Sequence, residues 1–443
     1  MSTLETHLKR VSVLGAGESG ISAALLLAAE GHAVTVHDTA APETLPERAA
    51  KLSAAGIVLR GGAEAVTVPE GTQLAVLSPG IALGSPLVEA FRSALVPVVG
   101  ELELAFERCK CPVVAVTGTN GKTTTTQLIE AMFKGAGVAT EACGNIGPAF
   151  SAKVGESGAL SVMTVEVSSF QLETIERFHP KVAVWLNFAP DHLDRYASME
   201  EYYEAKLRIF ERQTENDWAV VNARDNLPQL KARTLRFNAH APGADFSLVD
   251  GVIQFLGEPV LRMSDTHLVG LHNAENLMAA LATGFAWGLD WAAMRPALCA
   301  YRALPHRCEV VGESLGVQYV NDSKATNLDA VEKALASETR KVVLIAGGKD
   351  KGFEFESLTG LVAQRCRSAV LIGEMAARIS DQWSGALECQ RAGSLSEAVA
   401  LARAAAQPGD VVLFSPGSSS FDMFANYADR GNQFRALVRQ FSP

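Results

Sequence analysis

Short apolar, β-branched runs alternate with helix-forming stretches along most of the chain, and nearly every run closes on a small or glycine-bearing turn. Runs of this kind, with turn residues at both ends, predict strands buried on both faces, as in parallel sheets. Segment 10–14 (RVSVL) predicts a strand, 21–32 (ISAALLLAAEGH) a helix and 33–38 (AVTVHD) a second strand. A helix near 46–55, strands near 57–60 and 74–77, the turn Ser78-Pro79-Gly80 and the run 96–100 (VPVVG) complete a first sheet. Val113 to Val116 predicts the next strand, with a helix opening at Lys122. The stretches 161–173 and 182–196 hold apolar strands that deliver polar clusters at their C-terminal ends: Glu166 on one, then Asp191, His192 and Asp194 after the other. Residues 198–213 have amphipathic helical spacing, 229–270 are turn-rich and predict short antiparallel strands, and 272–288 predict a helix with a polar start. Proline interrupts the pattern at 301–307, after which strands in 317–327, 341–352, 368–373 and 411–424 alternate with helices. The expectation is three consecutive α/β domains, over 1–100, 101–302 and 303–443.

Composition narrows the function. At 48% hydrophobic and 20% charged, the 443 residues suit globular folding. With 39 Lys and Arg against 49 Asp and Glu the net charge is −10, which argues against a nucleic-acid partner. An acidic protein that binds phosphates must do so locally, with loops and a few placed cations. Seven cysteines (109, 111, 143, 299, 308, 366, 389) show no paired framework, and Cys109-Lys-Cys111 is too close-set for a zinc knuckle. They read as thiols in a reducing compartment. The opening MSTLETHLKR has no apolar core, and no stretch of 18 apolar residues occurs. A cytoplasmic protein without membrane insertion is expected.

The densest chemistry is in 111–127, CPVVAVTGTNGKTTTTQ. Gly118 and Gly121 have no Cβ, so successive backbone N–H groups can converge on an anion. Lys122 supplies a point charge, the Thr123 hydroxyl can sit on Mg²⁺, and a helix N-terminus adds its positive dipole end. The stretch departs from G-x-x-x-x-G-K-[ST] in one place: Val116 stands where the first glycine would be, and Gly118 does that work two residues later. A carboxylate at a strand end near such a loop, here Glu166, is a usual Mg²⁺ arrangement. A second glycine turn, Gly15-Ala-Gly17-Glu-Ser-Gly20, is followed 18 positions on by Asp38, about where a Rossmann-type ribose-binding carboxylate belongs. Such a turn points to a nucleotide-bearing ligand without saying which, and a dinucleotide oxidoreductase stays open on this feature alone. Lys206, among Tyr203, Leu207, Ile209 and Phe210, is placed for partial burial, which would lower its pKa; a snorkelling surface lysine is the alternative.

Together these motifs resemble the Mur ligases, ATP-dependent amide-forming enzymes of peptidoglycan precursor synthesis. The resemblance rests on TGTNGKTT (117–124), GNIG (144–147), EVSSFQLE (166–173), NFAPDHLDRY (187–196), YYEAK (202–206), HNAEN (272–276), LPHRCE (304–309), NDSKATN (321–327) and SPGSSSFD (415–422). The SPG at 78–80, SSFQLE, SKATN and SPGSSSFD look most like the member that adds D-glutamate, and the Asp-Asn-Pro-Arg motif of the diaminopimelate-adding enzyme is absent. The resemblance implies a Rossmann-like N-terminal domain, a P-loop ATPase-like central domain and a Rossmann-like C-terminal domain. By the same likeness Glu18, Ser19, Asp38, Thr39 and Gly80 would hold the uridine diphosphate of UDP-N-acetylmuramoyl-L-alanine, with Asn145 and His192 at its muramoyl-alanine end. Gly118, Thr119, Asn120, Gly121, Lys122, Thr123 and Thr124 would wrap the ATP phosphates, and Asn276, Arg307 and Asp322 would contact the nucleotide. Thr123 and Glu166 would bind one Mg²⁺, and His192 with Lys206 as a carbamate a second. Lys324, Thr326, Lys351, Ser420 and Phe421 would form the D-glutamate pocket. Lys122, Glu166, His192 and Lys206 would carry the chemistry in a monomer. A folylpolyglutamate-type or other Mur-type ligase, L-glutamate as the amino acid, and a nucleotide-binding regulatory protein without ligase activity are the competing readings.

Overall fold

The computed structural model describes residues 10–191, 195–302 and 305–441. The first sheet takes its strands from β1 (Arg10–Leu14), β2 (Ala33–Asp38), β3 (Val58–Gly61), β4 (Leu74–Leu77) and β5 (Val98–Gly100). They lie in the order β3-β2-β1-β4-β5, all parallel. The order reverses between β1 and β4, so a crevice opens at the C-terminal ends of these two strands, where open α/β sheets bind ligands.

The second sheet comprises β6 (Val113–Thr117), β7 (Thr140–Gly144), β8 (Val162–Glu166), β9 (Val182–Trp185), β10 (Trp218–Asn222), β11 (Arg233–Asn238), β12 (Phe246–Val249), β13 (Val252–Phe255) and β14 (Glu258–Arg262). Its order is β14-β13-β12-β11-β10-β9-β6-β8-β7. All five residues of β6 are buried, as a central parallel strand covered on both faces requires. The 229–270 expectation needs correcting here. Strands β11 and β12 extend the parallel sheet from β10, and the first antiparallel pair is β12 with β13. The β12–β13 and β13–β14 connections, Asp250-Gly251 and Leu256-Gly257, are two residues each and short enough to force hairpins; the longer connections before β11 and β12 leave the chain free to cross back and run parallel.

The third sheet has β15 (Glu309–Ser314), β16 (Val317–Asn321), β17 (Val342–Gly347), β18 (Cys366–Ile372), β19 (Cys389–Arg391) and β20 (Val411–Phe414), in the order β15-β16-β20-β17-β18-β19. Only β15 is antiparallel to its neighbour. Period-two alternation divides β17 between two cores: Val342, Leu344 and Ala346 pack with Leu335 and Trp383, while Val343 and Ile345 pack with Val399 and Phe434.

Contacts divide the chain into two compact units. One contains residues 1–187, 200–261 and 275–299, with the first two sheets; the other contains 188–199, 262–274 and 300–443, with the third. No helix among the described residues is long and apolar enough to cross a membrane, and all seven cysteines are free thiols.

Candidate active site

Strand β6 runs straight into the glycine turn, and the helix Lys122–Gly135 leaves it. Gly121, at the helix N-cap, has φ +82°, and a Cβ there would come within 2.4 Å of the Asn276 Oδ1. Only glycine satisfies both conditions. Asn276 projects from the helix Leu271–Trp287, and its Oδ1 also accepts the Thr125 hydroxyl at 3.1 Å. A second brace comes from Asn187, just past β9. Its Oδ1 accepts the Asn120 N–H at 2.9 Å, its Nδ2 donates to the Asn120 carbonyl at 3.1 Å, and its own carbonyl accepts the Thr119 N–H at 3.0 Å. The turn is therefore fixed by two asparagines from distant elements. Within it, the Lys122 Nζ donates to the carbonyls of Gly118 and Thr119, both at 2.8 Å. Thr123 and Thr124 are buried in the first turn of the helix.

One charged side chain reaches this turn, and another ends the strand that neighbours β6. Lys206, on the helix Met199–Leu207, is 1% exposed. Its Nζ donates to the Gly118 carbonyl at 3.0 Å and stands 4.8 Å from the centre of the Tyr202 ring. Sequence spacing left this lysine open between burial and snorkelling, and the fold buries it. Glu166 ends β8 in register with Val116 of β6 and is 2% exposed. Its Oε1 accepts the Asn145 Nδ2 at 2.8 Å, while Oε2 is buried with no hydrogen-bond partner among the described residues. A buried carboxylate oxygen left without a donor costs about 1–3 kcal/mol unless something binds it. Like the Thr123 hydroxyl, it is the donor type a hard divalent cation takes.

The first sheet holds its own glycine turn at the β1/β4 crevice. A Cβ on Gly20 would sit 1.9 Å from the Gly15 carbonyl, so this helix start and the strand end can approach only with glycine there. The Asp38 carboxylate accepts the Ala16 N–H at 2.7 Å and the Ala40 N–H at 2.9 Å. Glu18 and Ser19 open the helix Glu18–Ala29, and the Ser78 N–H bonds to the Leu14 carbonyl, bringing the 78–80 turn alongside.

In the other unit, the loops after β16, β20 and β17, three adjacent parallel strands, lie at one sheet edge. Lys324 and Thr326 are on the first, Ser420 and Phe421 on the second, and Lys351 on the third. The Lys351 Nζ meets the Asp191 Oδ1 at 3.1 Å, and the Asn327 Nδ2 donates to Asp191 Oδ2 at 2.9 Å. The Lys324 Nζ is 5.2 Å from the Tyr427 ring centre. Asp322 is buried; burial pushes its carboxyl up to about 6, against bonds from the Ser415 hydroxyl and the Cys308 N–H and the charge of Arg307. Ser420 is buried, whereas Phe421 is 67% exposed.

Three domain descriptions match in sequence: the Mur ligase MurD-like N-terminal domain over residues 9–100, the Mur ligase middle domain over 116–284 and the Mur ligase glutamate ligase domain over 306–417. The chain is 41% identical over 446 residues to UDP-N-acetylmuramoylalanine--D-glutamate ligase of Geotalea daltonii, covering 98% of each. It is 43% identical, with the same coverage, to the enzyme of that name from Geobacter sp. strain M21. The chain belongs to the Mur ligase family. Among solved Mur ligases, UDP-N-acetylmuramate-alanine ligase of Thermotoga maritima superposes with a TM-score of 0.64 at 19% identity, covering 98% of this chain and 100% of that one. The MurF ligase of Thermotoga maritima in complex with ADP gives 0.58 at 18%, covering 84% and 89%. These structures share the fold.

Within this Mur ligase the first unit gathers Gly118 to Thr124, Asn145, Glu166, Lys206 and Asn276 at the edge of the second sheet, and Glu18, Ser19, Asp38, Thr39 and Gly80 at the edge of the first. Lys324, Thr326, Lys351, Ser420, Phe421 and Asp322 share an edge of the third sheet, with half-buried Arg307 just ahead of β15. His192 lies outside the described residues. Sequence reasoning passed over Asn187, although it falls in NFAPDHLDRY, and Arg430; it named Asp191 in the polar cluster after β9 without giving it a role. Asn187 had a usable signal: a polar side chain just past the C-terminal end of a strand next in space to β6.

Proposed function

We propose that this Mur ligase joins D-glutamate to UDP-N-acetylmuramoyl-L-alanine at the expense of ATP, giving ADP and phosphate, in peptidoglycan precursor synthesis. The substrates are those named for the relatives that match the whole chain. The geometric observation that carries the reading is the buried Oε2 of Glu166, without a hydrogen-bond partner among the described residues, on the strand paired with the one that leads into a lysine-bearing glycine turn. A carboxylate does not condense with an amine at neutral pH. The γ-phosphoryl of ATP is transferred to the terminal alanine carboxylate, giving an acyl phosphate; the D-glutamate amine attacks its carbonyl, a proton is lost, and the tetrahedral adduct expels phosphate as the amide forms. Phosphoryl transfer of this kind is mainly positioning and charge neutralisation.

The residues divide this work. Gly118 to Thr124 hold the phosphates, with the Lys122 ammonium exchanging its loop carbonyls for phosphate oxygens. Thr123 and Glu166 hold Mg²⁺, which when bound offsets the repulsion between phosphate and carboxylate. Lys206 as an ammonium is no metal ligand; as a carbamate it would present anionic oxygens toward a second ion shared with His192. Isotopically labelled bicarbonate tests this, since a carbamate signal lost in Lys206→Ala is expected. Asn276, Arg307 and Asp322 serve the nucleotide. Glu18, Ser19, Asp38, Thr39, Gly80, Asn145 and His192 serve the UDP-sugar, and Lys324, Thr326, Lys351, Ser420 and Phe421 the amino acid. The domains expected over 1–100, 101–302 and 303–443 correspond to UDP-sugar, ATP and amino acid, in a cytoplasmic monomer.

Phosphate release from ATP, Mg²⁺ and UDP-N-acetylmuramoyl-L-alanine, assayed with single amino acids, tests the reading. Release with D-glutamate alone is expected. Release with L-glutamate instead corrects the stereochemistry, and no release with any amino acid removes the ligase.

A further inference from the structure

The unit that holds the third sheet contains a charged group that no role above uses. Arg430, in the first turn of the helix Tyr427–Arg439, is 0% exposed. Its Nε donates to the Ser323 hydroxyl at 3.0 Å, its Nη2 to the Ser323 carbonyl at 2.8 Å and its Nη1 to the Ser418 carbonyl at 3.1 Å. No carboxylate among the described residues pairs with it; Asp322 and Asp422 act only as more distant charges. Burial lowers the guanidinium to about 10, so it remains a cation at neutral pH. A buried cation answered by neutral oxygens and, at 6.0 Å, by the face of the Phe414 ring is costly, and a methionine or leucine would fill the space without that cost. What only the guanidinium supplies is its planar fork of donors.

The fork spans two loops. Ser323 begins the turn after β16 that carries Lys324 and Thr326, and Ser418 stands in the turn after β20 that carries Ser420. The same two turns are stitched by the Gly417 N–H on the Ala325 carbonyl at 3.0 Å and by the Ser415 hydroxyl on Asp322. The second turn reaches the third loop as well, through the Ser418 hydroxyl on the Lys349 carbonyl and the Lys349 N–H on the Ser419 carbonyl. The adjoining residue of the helix adds to this lock, since the Gly431 carbonyl accepts from the Asn321 Nδ2 at 3.0 Å. Remove the fork and the two serine turns keep one backbone bond and one side-chain bond between them.

We propose that Arg430 is a positioning residue for the incoming amino acid: it fixes the 323–327 and 418–421 turns at the spacing that the α-amino acid needs. This rests on the assignment of those turns to D-glutamate made above. Steady-state kinetics of the full-length protein test it, with wild-type turnover of D-glutamate as the control; if wild type fails that control, the assignment falls and not the geometry of the fork. Arg430→Gln should raise the KM for D-glutamate about tenfold or more, on the scale of a charge-assisted bond lost, with the KM values for ATP and UDP-sugar moved far less. Arg430→Lys, which keeps charge without the fork, should recover only part of the loss, and added guanidinium ion should restore Arg430→Gln in part. A KM for D-glutamate unchanged in folded Arg430→Gln, or an equal rise for all three substrates, overturns the proposal. If Arg430→Gln does not fold, Ser323→Ala decides: a selective rise for D-glutamate of about threefold supports the proposal, and none overturns it.

Discussion

Two glycine turns in the first unit share one backbone plan and carry charges of opposite sign. Each joins the C-terminal end of a parallel strand to a helix, Leu14 to Glu18 in the first sheet and Thr117 to Lys122 in the second. In the first turn the charged partner is the Asp38 carboxylate, which accepts the Ala16 N–H. In the second it is the Lys122 ammonium, which donates to the Gly118 and Thr119 carbonyls. A carboxylate at a turn suits hydroxyl and N–H groups of a ligand, whereas an ammonium suits phosphate oxygens. Strand, turn and helix are therefore a common mount. In the proposed function a single side chain decides which end of a nucleotide each one faces.

Exchanging those charges should break the comparison most severely. Lys122→Ala is expected to lower kcat about 10²–10³-fold, the scale for losing one preorganised donor, with the KM for UDP-sugar little changed. A kcat within a few-fold of wild type would take the second turn out of phosphoryl transfer.

The glycines come next. Gly121→Ala combines a left-handed φ with a clash on Asn276 and should cost about 1–3 kcal/mol in stability together with ATP affinity. Gly20→Ala meets the backbone oxygen of Gly15 and should cost about as much stability while sparing ATP affinity. Chemical denaturation with nucleotide titration separates the two variants. If both lose ATP binding equally, the turns do not work independently.

A smaller effect is expected from Asp38→Ala, which leaves the Ala16 and Ala40 N–H groups without their acceptor. A rise in the KM for UDP-sugar and a stability loss of about 1–2 kcal/mol should follow, with the KM for ATP unchanged.

The smallest separates the sheets by pH. His37, beside Asp38 in β2, is buried between the Ser12 hydroxyl and the Ala65 carbonyl. Burial first, and Arg60 in a lesser part, hold its pKa below the ordinary value, against the Ala65 bond that raises it. Below about pH 6.5 the unfolded chain takes up this proton and the folded one does not. Stability is therefore full above that pH and declines as pH falls toward the lowered folded value. Replacing His37 by an uncharged residue should flatten that slope in denaturation below about pH 6.5.

Where chemistry and backbone coincide in a few consecutive residues, the sequence is readable. Gly118 to Thr124, the Gly15 to Gly20 turn with Asp38, and Glu166 at a strand end all fall into this class. What stayed hidden acts on backbone atoms of remote segments. Asn187 holds Asn120 across 67 positions, and Arg430 holds Ser323 across 107. No local periodicity marks such a residue, because its partner is a carbonyl or an N–H that any amino acid could supply. The parallel run of β10, β11 and β12 escaped for a related reason, since apolar alternation fixes which face of a strand is buried but leaves its direction to the connections.

The Asn276 brace also bears on how the protein is made. Its partner Thr125 lies 151 positions earlier, and β6 is paired by β8 and β9, which also come later in the chain. A nascent chain thus carries the whole second glycine turn before all the parts that hold it have left the ribosome. Such late, distant pairings are slow to form and leave apolar strands waiting. Synthesis interrupted before residue 271 would yield a fragment with every glycine of the turn and its Asn187 brace in place but without the Asn276 brace.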